Sequence, residues 1–525
     1  MSRTRETAVV IVGAGSVGCA LAARLAEAGH EVLLLEAGPA RGNPDLVSSA
    51  LWGRRLKWGG SPVIEQGDKP VGHAFNAGYG TGGSGLHHYA VWPRLHPEDF
   101  RMHGEFGRGL DWPISYDDLR PHYDAVQEEM GIAGDATQER WRPAGAPYPL
   151  PPSPVFAQGA VIARGFDKLG LHTAPLPLAI TTTPYKGRPA CLWDGWCDAG
   201  CPIGALANPL AVHLPRALAR GATLVNDATV LRVITSADGT RATGVEYADA
   251  TGERTTVQAK LVILAAFAIE NPRLLLASRT DRHPNGLGNA GDALGRYITS
   301  HTAGLIYGRF DEPTEPHLGA FGGQLVNQDN YGKRSHAEAE AFGSYQWMIA
   351  QAVKPVDLLG ISTTRPDLTG APLHAFMKRA AHHFATMTAV LEDLPLAQNR
   401  VTLSERSDAF GVPLATVKHD MDPASRALWQ SSLTLGKKVF EAAGAKEVWT
   451  GPGGSMHIMG GTIMGKDAGT SVTDGYGRVH GLTNLFVAGP GLFPTSGGVN
   501  PTFTAQALAH RSGAYLVEHY SDITT

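Results

Sequence analysis

A chain of 525 residues has room for two or more domains, and its 43% hydrophobic and 18% charged content is that of a globular protein. A formal net charge of −4, with no basic block of the kind that neutralises phosphates, argues against nucleic acid as a partner. No apolar run reaches the roughly 18–20 residues of a membrane span, and four cysteines are too few for a disulfide framework. The first apolar segment, from residue 8, lacks the h-region and cleavage site of a signal peptide, so the expected location is the cytoplasm.

The opening stretch "AVVIVGAGSVGCALAARLAEAGHEVLLLEAG" (8–38) reads as strand, tight turn, helix and strand. Its first strand is a continuous β-branched run, as in a parallel strand buried on both faces. Gly13, Gly15 and Gly18 supply a G-x-G-x-x-G fingerprint. The first makes the turn, the second admits a pyrophosphate, and the third lets helix and strand pack closely. A helix over about 16–28 aims its amino end at that pyrophosphate, where the dipole and free N–H groups favour an anion. Glu36 ends the second strand, placed to bind ribose hydroxyls. A lone fingerprint is weak, since a glycine turn needs no ligand; the flanking strand, alanine-rich helix and acid make it specific. It does not separate NAD from FAD, but its place at the start, with "LLLEAGP" as second strand, favours FAD.

A second glycine-rich loop, "GYGTGGSGLHHYAVWPRLHPEDF" (78–100), carries His87 and His88 behind it. Ser115, ahead of Asp118, opens a helix within 110–132. Six prolines in 143–154 make an extended connector. Cys191, Cys197 and Cys201 follow with C-x5-C-x3-C spacing. Clustered thiols in a cytoplasmic chain more often mean metal or redox work than a disulfide. Between 222 and 278 the pattern is strand, hairpin and strand, ending in a buried "KLVILAA" before a helix after Pro272. Residues 303–400 are the least regular and are expected to form a sheet-based domain, with 399–405 and 412–420 as antiparallel strands of it. The last glycine-dense stretch, "GGSMHIMGGTIMG" (453–465), holds His457, and "GGVNPTFT" (497–504) follows. Glycine lets a backbone approach something closely, and an imidazole held there suits proton transfer. A satisfied loop histidine is the plainer alternative.

Together these ordered motifs resemble the glucose–methanol–choline (GMC) oxidoreductases, FAD enzymes that oxidise alcohols. The likeness rests on "GAGSVG", "LLEAG", "GTGGSG", "DWPISYDDLRPHY", "ATGVEYAD", "LAAFAIENPRLLLAS", "LGRYITSH" (294–301), "HIMGGTIMG" and "GLTNLFVAGPGLFPTSGGVNPTFTAQALAHR", and so runs along nearly the whole chain. Within the family, "PYKGRPACLWDGWCDAGCPIGA" (184–205) points to the bacterial sugar-oxidising branch, the sugar dehydrogenases and the pyranose and glucoside oxidases. The resemblance implies an α/β chain. A Rossmann-like FAD-binding domain takes 1–155, 210–302 and 450–525; a connector with the cysteine loop takes 156–209; a discontinuous, sheet-based α+β substrate domain takes 303–449.

It also implies roles. His457 and Asn500 face the flavin N5 and the substrate hydroxyl, His457 as base and Asn500 as hydrogen-bonding partner of the same oxygen. FAD contacts fall on Gly13, Gly15, Gly18, Glu36, Gly82, Gly83, His87, Val230, Gly489, Asn500, Pro501 and Thr502. In pyranose oxidases a histidine at the His87 position carries the flavin covalently, and in the bacterial dehydrogenases it generally does not; we take His87 as a cofactor contact. Some dehydrogenases of this branch hold a [3Fe–4S] cluster on cysteines spaced like Cys191, Cys197 and Cys201, passing electrons to a cytochrome subunit. A cysteine loop without iron is the alternative. The implied reaction turns a secondary ring hydroxyl of a sugar or glycoside into a ketone, with oxygen or another acceptor regenerating the flavin. Oxidation of a non-sugar alcohol, such as a polyol, aminocyclitol or aminoglycoside, is the second reading, and the lining supplied by 303–400 separates the two. Retention of both His457 and Asn500 argues against a non-catalytic flavin protein.

Overall fold

Two seven-stranded sheets contribute walls to one large cavity, and they are built from different sequence patterns. The computed structural model describes residues 3–336 and 340–525. The first sheet takes its strands in the order Thr223–Val225, Val32–Leu35, Arg3–Val12, Arg254–Leu264, Ala242–Ala248 and Thr229–Thr235, with Leu485–Val487 added beside the end of Arg254–Leu264. Its centre is parallel, Val9–Val12 lying between 32–35 and 261–264. Val9 and Ile11 pack into one apolar cluster and Val10 and Val12 into another. Burial on both faces is why these strands read as continuous apolar runs. Helix Ser16–Glu27 packs on this sheet beside Thr502–Glu518 from the far end of the chain. Ser115 caps helix Tyr116–Met130, accepting from the Asp118 N–H while Asp118 accepts from the Ser115 N–H.

The second sheet is antiparallel, ordered Glu447–Thr450, Thr299–Arg309, Phe384–Leu391, Tyr345–Ile349, Leu325–Asn327 and Ala174–Pro175, with Ser455–Met459 also paired to Thr299–Arg309. Alternation decides its faces. Tyr345, Trp347 and Ile349 pack with helices Ala157–Lys168 and Pro423–Ala443, while Gln346 and Met348 point the other way. Residues 303–400 supply most of this sheet, but it also recruits 174–175 and 447–459. The boundaries expected at 302/303 and 449/450 therefore fall inside strands Thr299–Arg309 and Glu447–Thr450. The strand that holds His457, Ser455–Met459, belongs to this second sheet.

The segments 399–405 and 412–420 need a further correction. Arg400–Ser407 and Pro413–Lys418 do pair antiparallel, but they join Ile64–Gln66 in a separate three-stranded sheet. Val401, Ala415 and Val417 bury themselves against Val71, Ile298 and Ile458. Arg273 ties the hairpin down through Asp408 (2.6 Å) and the Pro413 carbonyl (2.7 Å). The helix carrying Arg273, Glu270–Ala277, starts two residues before Pro272, whose missing N–H costs nothing in a first turn. Among the described residues no helix is long and apolar enough to cross a membrane.

Candidate active site

Strand ends of the first sheet, the second glycine loop and one face of the second sheet enclose a cavity of about 1310 Å³. Gly13, Gly15, Glu36, Gly83, His87, Val230, Gly489, Asn500, Pro501 and Thr502 all line it. Gly18 and Gly82, expected there too, stand one layer behind. A Cβ on Gly18 would lie 2.0 Å from the Gly13 carbonyl, and the Gly82 N–H donates to the Ala14 carbonyl (2.9 Å). They shape the cradle without facing it. At Gly15 a Cβ would meet nothing within 4 Å. The absent side chain leaves room for an anion at the amino end of helix Ser16–Glu27.

Glu36 is only 7% exposed, and its carboxylate accepts N–H groups of Ala14 (3.0 Å), Gly38 (2.9 Å) and Gly80 (3.2 Å). One side chain thus joins the first glycine turn, its own strand end and the second glycine loop. A carboxylate offers about four acceptor sites, so capacity for a ribose hydroxyl remains. His87 is buried with its Nε2 unpartnered, and burial, helped by the Lys57 charge, pushes its pKa down to about 3. A neutral imidazole with an unpaired nitrogen at the cavity wall suits a cofactor contact. His88 is a structural neighbour: its Nε2 meets the Ala207 carbonyl (3.0 Å) and its Nδ1 accepts the Ala90 N–H (3.1 Å). The open space at Gly15, the anion-attracting helix end and the orphaned His87 nitrogen fit FAD.

His457 sits at a bulge, where the pairing of Ser455–Met459 with Thr299–Arg309 shifts register between Met456 and Ile458. Its φ is +63°, a left-handed conformation uncommon for a side chain that is not glycine. Bulges re-aim side chains beside active sites, and this one turns the imidazole into the cavity. Asn76 accepts the His457 N–H (3.0 Å) and holds the turn.

The ring partners of His457 define its tautomer. His301, fully buried on Thr299–Arg309, places Nε2 2.8 Å from the Gly497 carbonyl. A carbonyl only accepts, so His301 carries its proton on Nε2 and offers a lone pair at Nδ1. That lone pair lies 3.0 Å from Nδ1 of His457, which must therefore donate. Nε2 of His457 is left with a lone pair, 3.1 Å from Nδ2 of Asn500. Burial pushes the His301 pKa down to about 4. Desolvation within the cavity walls, and then His301, hold His457 well below the ordinary 6.5. Both rings are neutral near pH 7. The sequence motifs single out His457 and Asn500 but give no role to His301, although "LGRYITSH" contains it; its only local signal is a polar residue in a largely buried strand.

The cysteines are arranged differently. Cys191, Cys197 and Cys201 are free thiols grouped with Leu178, Ile180 and Phe321, and none lines the cavity. Burial pushes the Cys191 thiol up to about 11 and Cys197 higher still. Among the described residues no three His, Cys, Asp or Glu side chains are placed to hold a metal ion, so the expected [3Fe–4S] cluster gains no support. Cys19 is a buried core residue of the first helix.

GMC oxidoreductase models match residues 7–303 and 395–509 of this chain, and the chain belongs to that family. It is 32% identical to 2-methyl-1,2-propanediol dehydrogenase of Mycolicibacterium austroafricanum, over 99% of this chain and 96% of that protein. It is 31% identical to the fructose dehydrogenase large subunit of Gluconobacter japonicus, over 97% and 98%. Among solved structures, pyridoxine 4-oxidase from Mesorbium loti superposes with a TM-score of 0.66 at 20% identity, over 98% of this chain and 99% of that one, a likeness of fold. The protein is an FAD-dependent oxidoreductase acting on CH–OH groups.

Proposed function

We propose that this chain oxidises a small alcohol whose body is largely apolar, with His457 as the base and Asn500 as hydrogen-bond donor to the reacting oxygen. The observation that carries the reading is the unprotonated Nε2 of a neutral His457 beside the Asn500 amide. FAD, when bound, supplies the hydride acceptor, and Glu36 and the helix end at Gly15 are the groups that would hold its ribose and pyrophosphate. The substrate oxygen takes the place of the Asn500–His457 hydrogen bond, and as its hydroxyl proton passes to Nε2 of His457, loss of hydride from the same carbon becomes easier. The Asn500 N–H opposes the negative charge gathering on oxygen.

The lining supplied by 303–400 supports the apolar reading. Leu305, Phe321, Met348, Val353 and Ile361, with two alanines, make the apolar part of that wall, and Tyr307, Gln351, Asp357, Thr386 and Thr388 are its polar members. A sugar ring presents hydroxyls in several directions and needs partners in each. On this wall the apolar side chains outnumber the polar ones. The sugar or glycoside reading of the sequence therefore stands second, favoured by the pair in which the Thr388 hydroxyl donates to Gln351. Either oxygen or another acceptor completes the cycle. Steady-state kcat/KM over aliphatic alcohols, branched diols, sugars and glycosides, with oxygen and with a dye acceptor, tests the reading. Apolar alcohols and diols should lead by about tenfold, roughly the worth of one or two buried methylenes. A sugar as best substrate would overturn the apolar reading and leave the base assignment standing.

A further inference from the structure

We propose that Gln346 is a positioning residue: it holds Asn500 with the amide N–H, and not the carbonyl, toward the substrate oxygen. This rests on the roles given above to His457 and Asn500. The two ends of an asparagine amide have nearly the same shape and opposite electrostatics. A donor there favours a developing alkoxide, and a carbonyl opposes it. Something must choose between them.

The choice is made by a buried chain with one donor sense. Nε2 of Gln346 donates to Oδ1 of Asn500 (2.9 Å). Nε2 of Gln328 donates to Oε1 of Gln346 (3.0 Å), and Nε2 of His96 lies 3.1 Å from Oε1 of Gln328, where it can only donate. Gln346 is fully buried and Gln328 is 2% exposed, so neither amide has solvent to turn to. Hydrogen bonds in such a chain polarise one another.

The sense is fixed from the opposite end. The Gly497 carbonyl sets the His301 proton, His301 sets the His457 proton, and the lone pair left on His457 accepts only from Nδ2 of Asn500. Turning Asn500 over would bring its carbonyl against that lone pair and its N–H against the N–H of Gln346. Strand alternation places Gln346 for this work, on the same face as cavity-lining Met348. His96 is held in turn, stacked on Tyr331 at 3.8 Å with its backbone N–H on Asp99 (2.8 Å). The Tyr331 hydroxyl accepts the Gly498 N–H (3.1 Å) and donates to Asp99 (2.7 Å), so the same anchor braces the loop that carries Asn500.

The test is anaerobic rapid mixing of FAD-loaded variants with the compound of highest kcat/KM from the panel of alcohols, diols, sugars and glycosides. Gln346→Leu should keep its flavin and bind substrate within about threefold of wild type, yet reduce roughly tenfold more slowly, the worth of one oriented hydrogen bond. Reduction at near wild-type speed overturns the proposal. In an Asn500→Ala background the same change should add less than twofold, because Gln346 acts through Asn500; full additivity overturns it. Gln346→Glu supplies the rescue: wherever its carboxyl is protonated it can donate to Oδ1 as the amide does, and the ratio of its rate to that of wild type at the same pH should rise toward one. No recovery at any pH overturns it. If Asn500→Ala alone leaves reduction unchanged, it is the role given to Asn500 that fails, a separate outcome.

Discussion

Around His457 the polar side chains hold one another in a fixed donor sense, from the Gly497 carbonyl through His301 to Asn500 and Gln346. The three cysteines of 191–201 are also drawn together by the fold, but among apolar side chains, with the Trp193 N–H on Cys191 (3.3 Å) as a weak sulfur contact. Both regions remove ionisable groups from water, and both leave them neutral. In the role of base proposed for His457 the neutral state is the reactive one, because a lone pair is what a base needs. At Cys191 and Cys197 it is the unreactive one, because the thiolate is the ligand and nucleophile. Desolvation alone therefore does not make a site; the oriented partners do.

That contrast can be broken experimentally. The largest effect is expected for His457→Ala, which should keep the flavin, since the glycine turn and Glu36 are untouched, while flavin reduction by substrate slows by about 10²–10⁴. Absorbance of the purified variant and rapid-mixing kinetics check both halves. His301→Ala comes next. It frees His457 to move its proton to Nε2, and reduction should slow by roughly 3–10-fold, the range of one neutral hydrogen bond. The variant should also unfold more readily, by about 1–3 kcal/mol, because Nδ1 of His457 loses its buried partner; chemical denaturation measures it. The smallest effect belongs to the cysteines. Cys191, Cys197 and Cys201 replaced together by serine should leave flavin reduction by substrate within about twofold, as none reaches the cavity. A large loss would tie that loop to the chemistry, and iron analysis of anaerobically prepared wild type beside this variant would show whether a cluster is the reason.

The two regions also differ in how far the sequence reveals them. The strand–glycine–helix opening is legible because its signals are local: continuous apolar runs, glycines at fixed offsets and an acid at a strand end. His457 and Asn500 are legible as members of ordered motifs. His301 and Gln346 are not, because their partners lie 156 and 154 residues away and a hydrogen bond across that distance leaves no periodic trace. The sheet that 399–405 joins is hidden in the sequence for a related reason. Alternation marks Arg400–Ser407 and Pro413–Lys418 as strands, but their third partner, Ile64–Gln66, is decided by burial against Val71 and Ile298. The bulge at His457 was hidden too, since its left-handed residue is a histidine surrounded by glycines that advertise such conformations themselves.

The account turns on a neutral His457 offering Nε2 to the substrate hydroxyl, and the pH dependence of the anaerobic flavin-reduction rate tests it most directly. A base must be unprotonated to act, and burial holds this one well below the ordinary histidine value of 6.5. The rate should therefore be level through neutral pH and fall only on the acid side, below 6.5, as pH drops through the depressed pKa. A rate still climbing above neutrality would mean that His457 is charged in the resting protein, or that another group takes the proton, and would contradict the account.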